Sequence, residues 1–461
     1  RGADRQAQFV EKLRRRAARQ PLALSTPGPS ARAQPPSSPC AAGCEERGNC
    51  NADLGHCECP PLVAGASCER SAVPACSEQW GFRLPAGPCQ ALAQELKRRG
   101  HSIVLITDER VQHFDRLFPG ADIFSVPSAT FSGPGLAGIF SAAAKIVNGT
   151  SQSLAVMARA KPSVVVGFGG YPTMPPMLAA ILRRIPTIVH EQNAVLGRVN
   201  KAVAPFVHAI ASTFPAPKYL KARALPKLHV TGNPVRDAVL AQADVPFDEI
   251  GSGPIRLLVF GGSQGARVMS DIVPEALTAL PAELRARLDV TQQCREEDLD
   301  RVGQAYAKAG IAAKLSAFFD DMPKVIAQSH LVVGRAGAST VSELAVIGRP
   351  SILVPLPHSL DQDQKANAEI LSNTGASIMI EQDGFTPELL ATTLSSLFAD
   401  GSRLSAMAAA AKAEGKPRAV QSLADLVERV ARKKSGGLPS PEKQKTLSAP
   451  DGTNEPQEKN Q

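Results

Sequence analysis

Three times in this chain a run of aliphatic, mostly β-branched residues stops at glycine and gives way to a helix-forming stretch. The three passages are Val164-Val-Val-Gly-Phe-Gly-Gly-Tyr-Pro172, Ile255-Arg-Leu-Leu-Val-Phe-Gly-Gly-Ser-Gln-Gly-Ala-Arg267 and Leu331-Val-Val-Gly-Arg-Ala-Gly-Ala-Ser-Thr-Val-Ser-Glu343. A strand that is apolar at nearly every position must be covered on both faces, which parallel sheets achieve by carrying helices on either side. The order strand, glycine turn, helix therefore predicts α/β architecture built from βαβ units.

The remaining text agrees with that frame. Further strands are expected at Ser102–Thr107, Thr187–His190 and Ser351–Pro355, with helices at Ala91–Arg99, Pro176–Arg183, Val268–Ala279, Thr340–Ile347 and Asp363–Asn373. A turn at Asn233-Pro234 and an apolar-poor stretch to Phe247 mark a boundary, so two doubly wound domains are expected in 461 residues. Hydrophobic residues make up 43% but aromatic ones only 4%, so the cores must be filled by Ala, Val, Leu and Ile. The net charge of +8 suits nucleic acid, an anionic membrane or an anionic substrate equally. Much of it lies in an N-terminal cluster, Lys12 to Arg19, without interleaved aromatics, which speaks against nucleic acid. No stretch reaches the ~18 to 20 apolar residues of a membrane-spanning helix, so membrane contact is expected to be peripheral.

Each glycine loop can do chemistry or merely turn. Glycine lets the backbone approach a ligand, and the first free N–H groups of the following helix can receive an anion such as a diphosphate. Ser263, Gln264 and Gly265 form one such loop; Ala338, Ser339, Thr340, Val341 and Ser342 open the helix of another, with Glu343 one turn inside. That carboxylate either complements the helix dipole or accepts hydrogen bonds from ribose hydroxyls. His190, Glu191, Gln192 and Asn193 leave a strand on the same sheet as the loop 167–172, so their polar groups are expected at one sheet edge.

The motifs G-F-G-G-Y-P, H-E-Q-N, T-G-N-P-V-R, G-G-S-Q-G-A-R, F-F-D-D-M and S-T-V-S-E-L, in this order from about Ala91 to Arg432, resemble the MurG-type transferases of glycosyltransferase family 28. The resemblance implies the GT-B architecture of two Rossmann-like domains with a cleft between them. An acceptor-binding domain would span 78–235 and a UDP-sugar-binding domain 236–433, followed by a disordered tail at 434–461. It implies inverting transfer of N-acetylglucosamine from UDP to a lipid-linked muramoyl acceptor at the cytoplasmic face of the membrane. Ser263 and its loop would hold the diphosphate, Glu343 the ribose and Phe319 the uracil. Ala338 to Ser342 and Gln364 would line the sugar and phosphate, Asn193 and Arg236 would reach the donor, and Gly169, Gly170 and Tyr171 would face the acceptor diphosphate. No metal or cofactor is expected, because no ligand cluster is visible. UDP-sugar epimerases share the fold, but their histidine and acidic arrangement is not evident.

The chain departs from the family at 76–90. No first strand is recognisable there, and Phe82 stands near the place of the family's histidine, so His190 or Glu191 is the candidate substitute base. Before that point, residues 1–39 read as a disordered basic leader. Cys40, Cys44, Cys50, Cys57, Cys59 and Cys68 follow, in the spacing C-x3-C-x5-C-x6-C-x-C-x8-C, which resembles an EGF-like module at 40–70. Three disulfides are then expected, and with them an oxidising compartment, which conflicts with a cytosolic donor. A zinc site is the other reading of clustered cysteines, although paired C-x2-C elements are missing. Phe131–Val147, with Leu136, Ile139, Phe140, Lys145 and Ile146, is either a surface for anionic lipid or an ordinary buried helix. Two rival functions follow: a nucleotide-sugar-binding protein without turnover, and a luminal or secreted interaction protein whose role the EGF-like part sets.

Overall fold

The computed structural model describes residues 49–51, 56–58, 63–64, 69–70, 72–75, 87–108, 118–128, 136–262, 266–357 and 361–432. Two parallel sheets dominate it. The first has seven strands in the spatial order 228–230, 209–212, 187–191, 164–167, 72–75, 104–107, 122–125; the second has six, in the order 312–316, 288–293, 255–260, 331–334, 351–353, 377–379. Every neighbouring pair in both sheets is parallel. The central strands Val164–Gly167, Thr187–Glu191 and Leu331–Gly334 are buried at every position, as apolar runs covered by helices on both faces must be. Two doubly wound lobes result, the α/β GT-B architecture expected above.

One expectation is corrected. A first strand exists: Ala72–Ala75 pairs with Val164–Gly167 along its whole length, from Ala72↔Val164 to Ala75↔Gly167, and with the other neighbour only at Ala75↔Ile106. It occupies the middle of the first sheet and lies upstream of residue 78, where that domain was expected to begin. It escapes recognition because it is four residues long and contains Pro74, which has no N–H to give a ladder and argues against a central strand.

Upstream, Asn49–Asn51 pairs antiparallel with His56–Glu58, bringing Cys50 opposite Cys57 in register, and Val63–Ala64 pairs with Glu69–Arg70. Cys40, Cys44, Cys59 and Cys68, like Phe82, the leader and the tail, lie outside the described residues. Cys89 is disulfide-bonded, whereas Cys294 is a free thiol buried in the second lobe.

The chain crosses between lobes after the strand Leu228–Val230. Val235 and Val239 already belong to a core of the second lobe, together with Leu258, Val332 and Leu344. It then returns: the last helix, Ala419–Arg432, buries Leu423, Leu426 and Val427 with Leu92, Leu96 and Val166 of the first lobe. Arg99 Nη1 to Asp425 at 2.7 Å and His101 Nε2 to Glu428 at 3.0 Å pin the helix from its flank. The two sheets are thus linked twice, and one edge of each is held facing the other.

Candidate active site

In the second lobe, the paired ends Phe260 and Gly334 bring two glycine turns to one sheet edge. Gly262 has φ +86°, a conformation that side-chain-bearing residues rarely adopt. Ser263, Gln264 and Gly265 lie outside the described residues. The helix Ala338–Ile347 starts from Gly337 with no side-chain cap, so the first N–H groups at Ala338, Ser339 and Thr340 are not taken by a capping side chain. Facing them, the helix Gly87–Arg98 of the first lobe also begins at glycine. A Cβ placed on Gly87 would sit 3.9 Å from Ser339 Oγ, so two positive helix ends look at each other across the cleft.

Glu343 lies in the helix Ala338–Ile347 with 13% of its side chain exposed, and Arg236 Nη2 meets its Oε1 at 3.1 Å. Burial raises the Glu343 pKa and Arg236 works against that rise, so the pair is coupled across the inter-lobe crossing. Asn233, read from the sequence only as a turn residue, is buried; its Nδ2 donates to Ser342 Oγ at 3.2 Å, while Ser342 Oγ donates to the Ala338 carbonyl at 2.8 Å. Val341 packs into the core. Gln364 is half-buried, and its Oε1 accepts from the Leu356 N–H at 3.1 Å. Phe319 is 9% exposed, and Lys314 Nζ stands 5.9 Å from its ring centre. It follows the edge strand Ala312–Ser316, two strands away from 255–260.

In the first lobe, Gly169 and Gly170 have φ +77° and +70°, and a Cβ on Gly169 would meet Asn200 Nδ2 at 3.3 Å. Glycine is therefore needed there for conformation and for space. Tyr171 follows at the start of a short 3-10 turn, half-buried. Gln192 Nε2 donates to the Phe168 carbonyl at 3.0 Å and so ties this loop to the neighbouring strand end.

The structure buries the two candidate bases inside the first lobe. His190 has no exposed surface; its Nε2 donates to the Gly232 carbonyl at 3.0 Å, and its ring lies against Phe168 with 5.5 Å between centres. Burial pushes its pKa down to about 4, so the ring is neutral and holds the crossing strand. Glu191 is 2% exposed. Its two oxygens accept from the N–H groups of Asn193 and Gly197 at 3.1 and 2.8 Å and from Asn200 Nδ2 at 2.9 Å. Burial raises its pKa against those bonds. Both side chains are engaged inside the fold, and the bonds of Glu191 shape the loop 191–197 that carries Asn193.

Sequence reading missed Asn367. It is fully buried on the helix Asp363–Asn373, yet its Oδ1 accepts from the Ala194 N–H of the other lobe at 2.8 Å. Lys218 to Glu369 at 3.0 Å and Lys201 to Asp361 at 3.4 Å lie beside it. The available signal was the spacing from Gln364, three residues and thus one helical turn earlier. Among the described residues no group of three or more His, Cys, Asp or Glu is placed to hold a metal.

Two parallel-sheet lobes, helix N-termini facing each other between them and an acid inside the second lobe's helix suit a two-lobed protein that handles a nucleotide-linked sugar. The models of the glycosyltransferase family 28 N-terminal and C-terminal domains match residues 87–212 and 256–423. The chain belongs to glycosyltransferase family 28.

Relatives of this chain carry the name UDP-N-acetylglucosamine--N-acetylmuramyl-(pentapeptide) pyrophosphoryl-undecaprenol N-acetylglucosamine transferase. That of Methylobacterium sp. (strain 4-46) is 51% identical over 75% of this chain and 93% of its own length. That of Zymomonas mobilis is 47% identical over 76% and 90%. The crystal structure of Acinetobacter baumannii MurG is 28% identical, with a TM-score of 0.64 over 78% of this chain and 99% of that one. A UDP-GlcNAc 2-epimerase from Neisseria meningitidis, at 13% identity and a TM-score of 0.53, shares the fold. Both family models lie within 87–423, so they lend the EGF-like reading of 40–70 no support.

Proposed function

We propose that this chain transfers N-acetylglucosamine from UDP-N-acetylglucosamine to a polyprenyl-diphosphate-linked muramoyl pentapeptide, the step that completes the lipid-linked disaccharide of peptidoglycan. The observation that carries this reading is the pair of glycine-led helix N-termini, at Gly87 and at Ala338, that face each other across one cleft. Two diphosphates have to be brought together in this reaction, one on the donor and one on the acceptor, and each helix end suits one of them. The relatives' named reaction supplies the sugars.

Glu343 would take the ribose hydroxyls, the loop at Ser263 the donor diphosphate, and Gly169, Gly170 and Tyr171 the acceptor diphosphate. Arg236 and the helix N–H groups would stabilise charge on departing UDP while the acceptor hydroxyl attacks the anomeric carbon in line, inverting it. Contact with an anionic membrane at its cytoplasmic face completes the reading. Phe140, Val147 and Leu182 are 73%, 69% and 68% exposed on two helices packed together, and Arg183 and Arg184 adjoin them. No helix among the described residues is long and apolar enough to cross a membrane.

The burial of His190 and Glu191 favours one alternative, a protein that binds the donor without turning it over. Calorimetric titration with UDP-N-acetylglucosamine followed by a transfer assay separates the two: heat with product supports transfer, heat without product supports the alternative, and no heat removes both.

A further inference from the structure

The geometry points to Asn367 as a positioning residue that fixes which end of the Asn193 amide faces the donor, and makes that end the NH2 group. This rests on the reading that Asn193 touches the donor. Three hydrogen bonds form a chain in which each link has only one possible polarity. The Ala194 backbone N–H can only donate, so the Asn367 atom 2.8 Å from it must be the carbonyl oxygen. The other end of the Asn367 amide is then NH2, and its two hydrogens meet two acceptors, the Ala336 carbonyl at 3.1 Å and Asn193 Oδ1 at 3.0 Å. Asn193 is thereby held by its oxygen. Its own NH2 lies 3.4 Å from Glu191 Oε1, which engages one hydrogen weakly, and the second hydrogen has no partner among the described residues.

Amide ends cannot be told apart by shape, and a free asparagine at a cleft would present either one. Here the choice is dictated from the opposite lobe, because Asn367 is fully buried on the helix 363–373 while Asn193 and Ala194 belong to the loop after the strand Thr187–Glu191. The atom that Asn193 recognises on the donor must accordingly be an acceptor, an oxygen of the sugar or of the diphosphate. The contact is also conditional: when the lobes separate, Asn193 loses its anchor and its orientation together, so donor recognition is tied to closure of the cleft.

The test is a double-mutant cycle on the donor kcat/KM of the full-length protein, with Asn193→Ala, Asn367→Asp and the double variant. Aspartate at 367 still accepts from Ala194 but offers Asn193 an acceptor where it had a donor, which turns the Asn193 amide around. We expect Asn367→Asp to lose about 10- to 100-fold in kcat/KM for UDP-N-acetylglucosamine, comparable to Asn193→Ala, and to cause no further loss in the Asn193→Ala background. Independent, multiplying losses would overturn the inference, since a general effect of buried charge on the fold persists without Asn193. Asn367→Ser, which keeps an oxygen for Ala194 and drops the Asn193 contact, is the second variant should aspartate unfold the lobe; it must show the same dependence on Asn193. If Asn193→Ala itself leaves donor kinetics unchanged, the reading of Asn193 fails, and the inference with it. If only the substitutions at 367 are silent, the inference fails alone.

Discussion

At the scale of single residues, Glu343 and His190 are opposite uses of burial. Glu343 keeps a sliver of surface toward the cleft and a cationic partner in Arg236. Replacing it with alanine removes the partner of Arg236 and the two oxygens proposed to accept from ribose hydroxyls. Calorimetry should show UDP-N-acetylglucosamine binding about 10- to 100-fold more weakly in Glu343→Ala; unchanged affinity would exclude ribose recognition there. His190 has no surface and a pKa near 4, below its ordinary 6.5. As pH falls below 6.5 the unfolded chain takes up a proton that the folded chain refuses until about pH 4. Its contribution is thus full above 6.5 and is lost on acidification, by up to about 3 kcal/mol. His190→Gln, which can still donate to the Gly232 carbonyl, should flatten the stability profile between pH 6.5 and 4 in urea titrations. An equal slope in both proteins would show that another group carries it. Sequence could name His190 as polar and at a strand end, but not that its side chain turns into the core, since that depends on Phe168 and Gly232 arriving from elsewhere. The inter-lobe contact of Asn367 was illegible for the same reason: its partner Ala194 is 173 positions away.

Among elements, the last helix does the least expected work. Ala419–Arg432 follows the second lobe in sequence yet packs in the first, with Leu423 fully buried beside Leu92 and Val427. Leu423→Ala should therefore destabilise by about 2–5 kcal/mol. Hydrogen exchange should place the loss in the helix Gly87–Arg98 as well as in the last helix; a loss confined to the second lobe would contradict the packing. Val164–Gly167, Ile255–Phe260 and Leu331–Gly334 were legible because they are near-continuous apolar runs that end at or just before glycine. Edge strands were not. Asp122–Ser125 and Ala312–Ser316 are largely exposed and carry the mixed composition that exposure permits, so no period distinguishes them from loop. Ala72–Ala75 failed for its proline. The glycine turns were readable as sites because their chemistry is local, whereas the bonds that close the cleft join distant segments.

For the whole molecule, the two lobes are clasped by Asn367, by the pairs Lys218–Glu369 and Lys201–Asp361, and by the returning helix. The exposed apolar residues of the first lobe are the surface proposed to meet a bilayer. Phe140→Asp with Val147→Asp should lower co-sedimentation with anionic vesicles several-fold while leaving UDP-N-acetylglucosamine affinity intact; unchanged sedimentation of the folded variant would remove the membrane from the account. Transfer across the cleft can be followed with labelled sugar. The protein is incubated in detergent with UDP-N-acetylglucosamine, radiolabelled in the sugar, and a polyprenyl-diphosphate-linked muramoyl pentapeptide, and the label is followed into the organic-extractable lipid. The account predicts that label moves to the lipid in step with release of UDP, and that Glu343→Ala slows it. Donor that binds the protein but leaves all its label in the aqueous phase would contradict it.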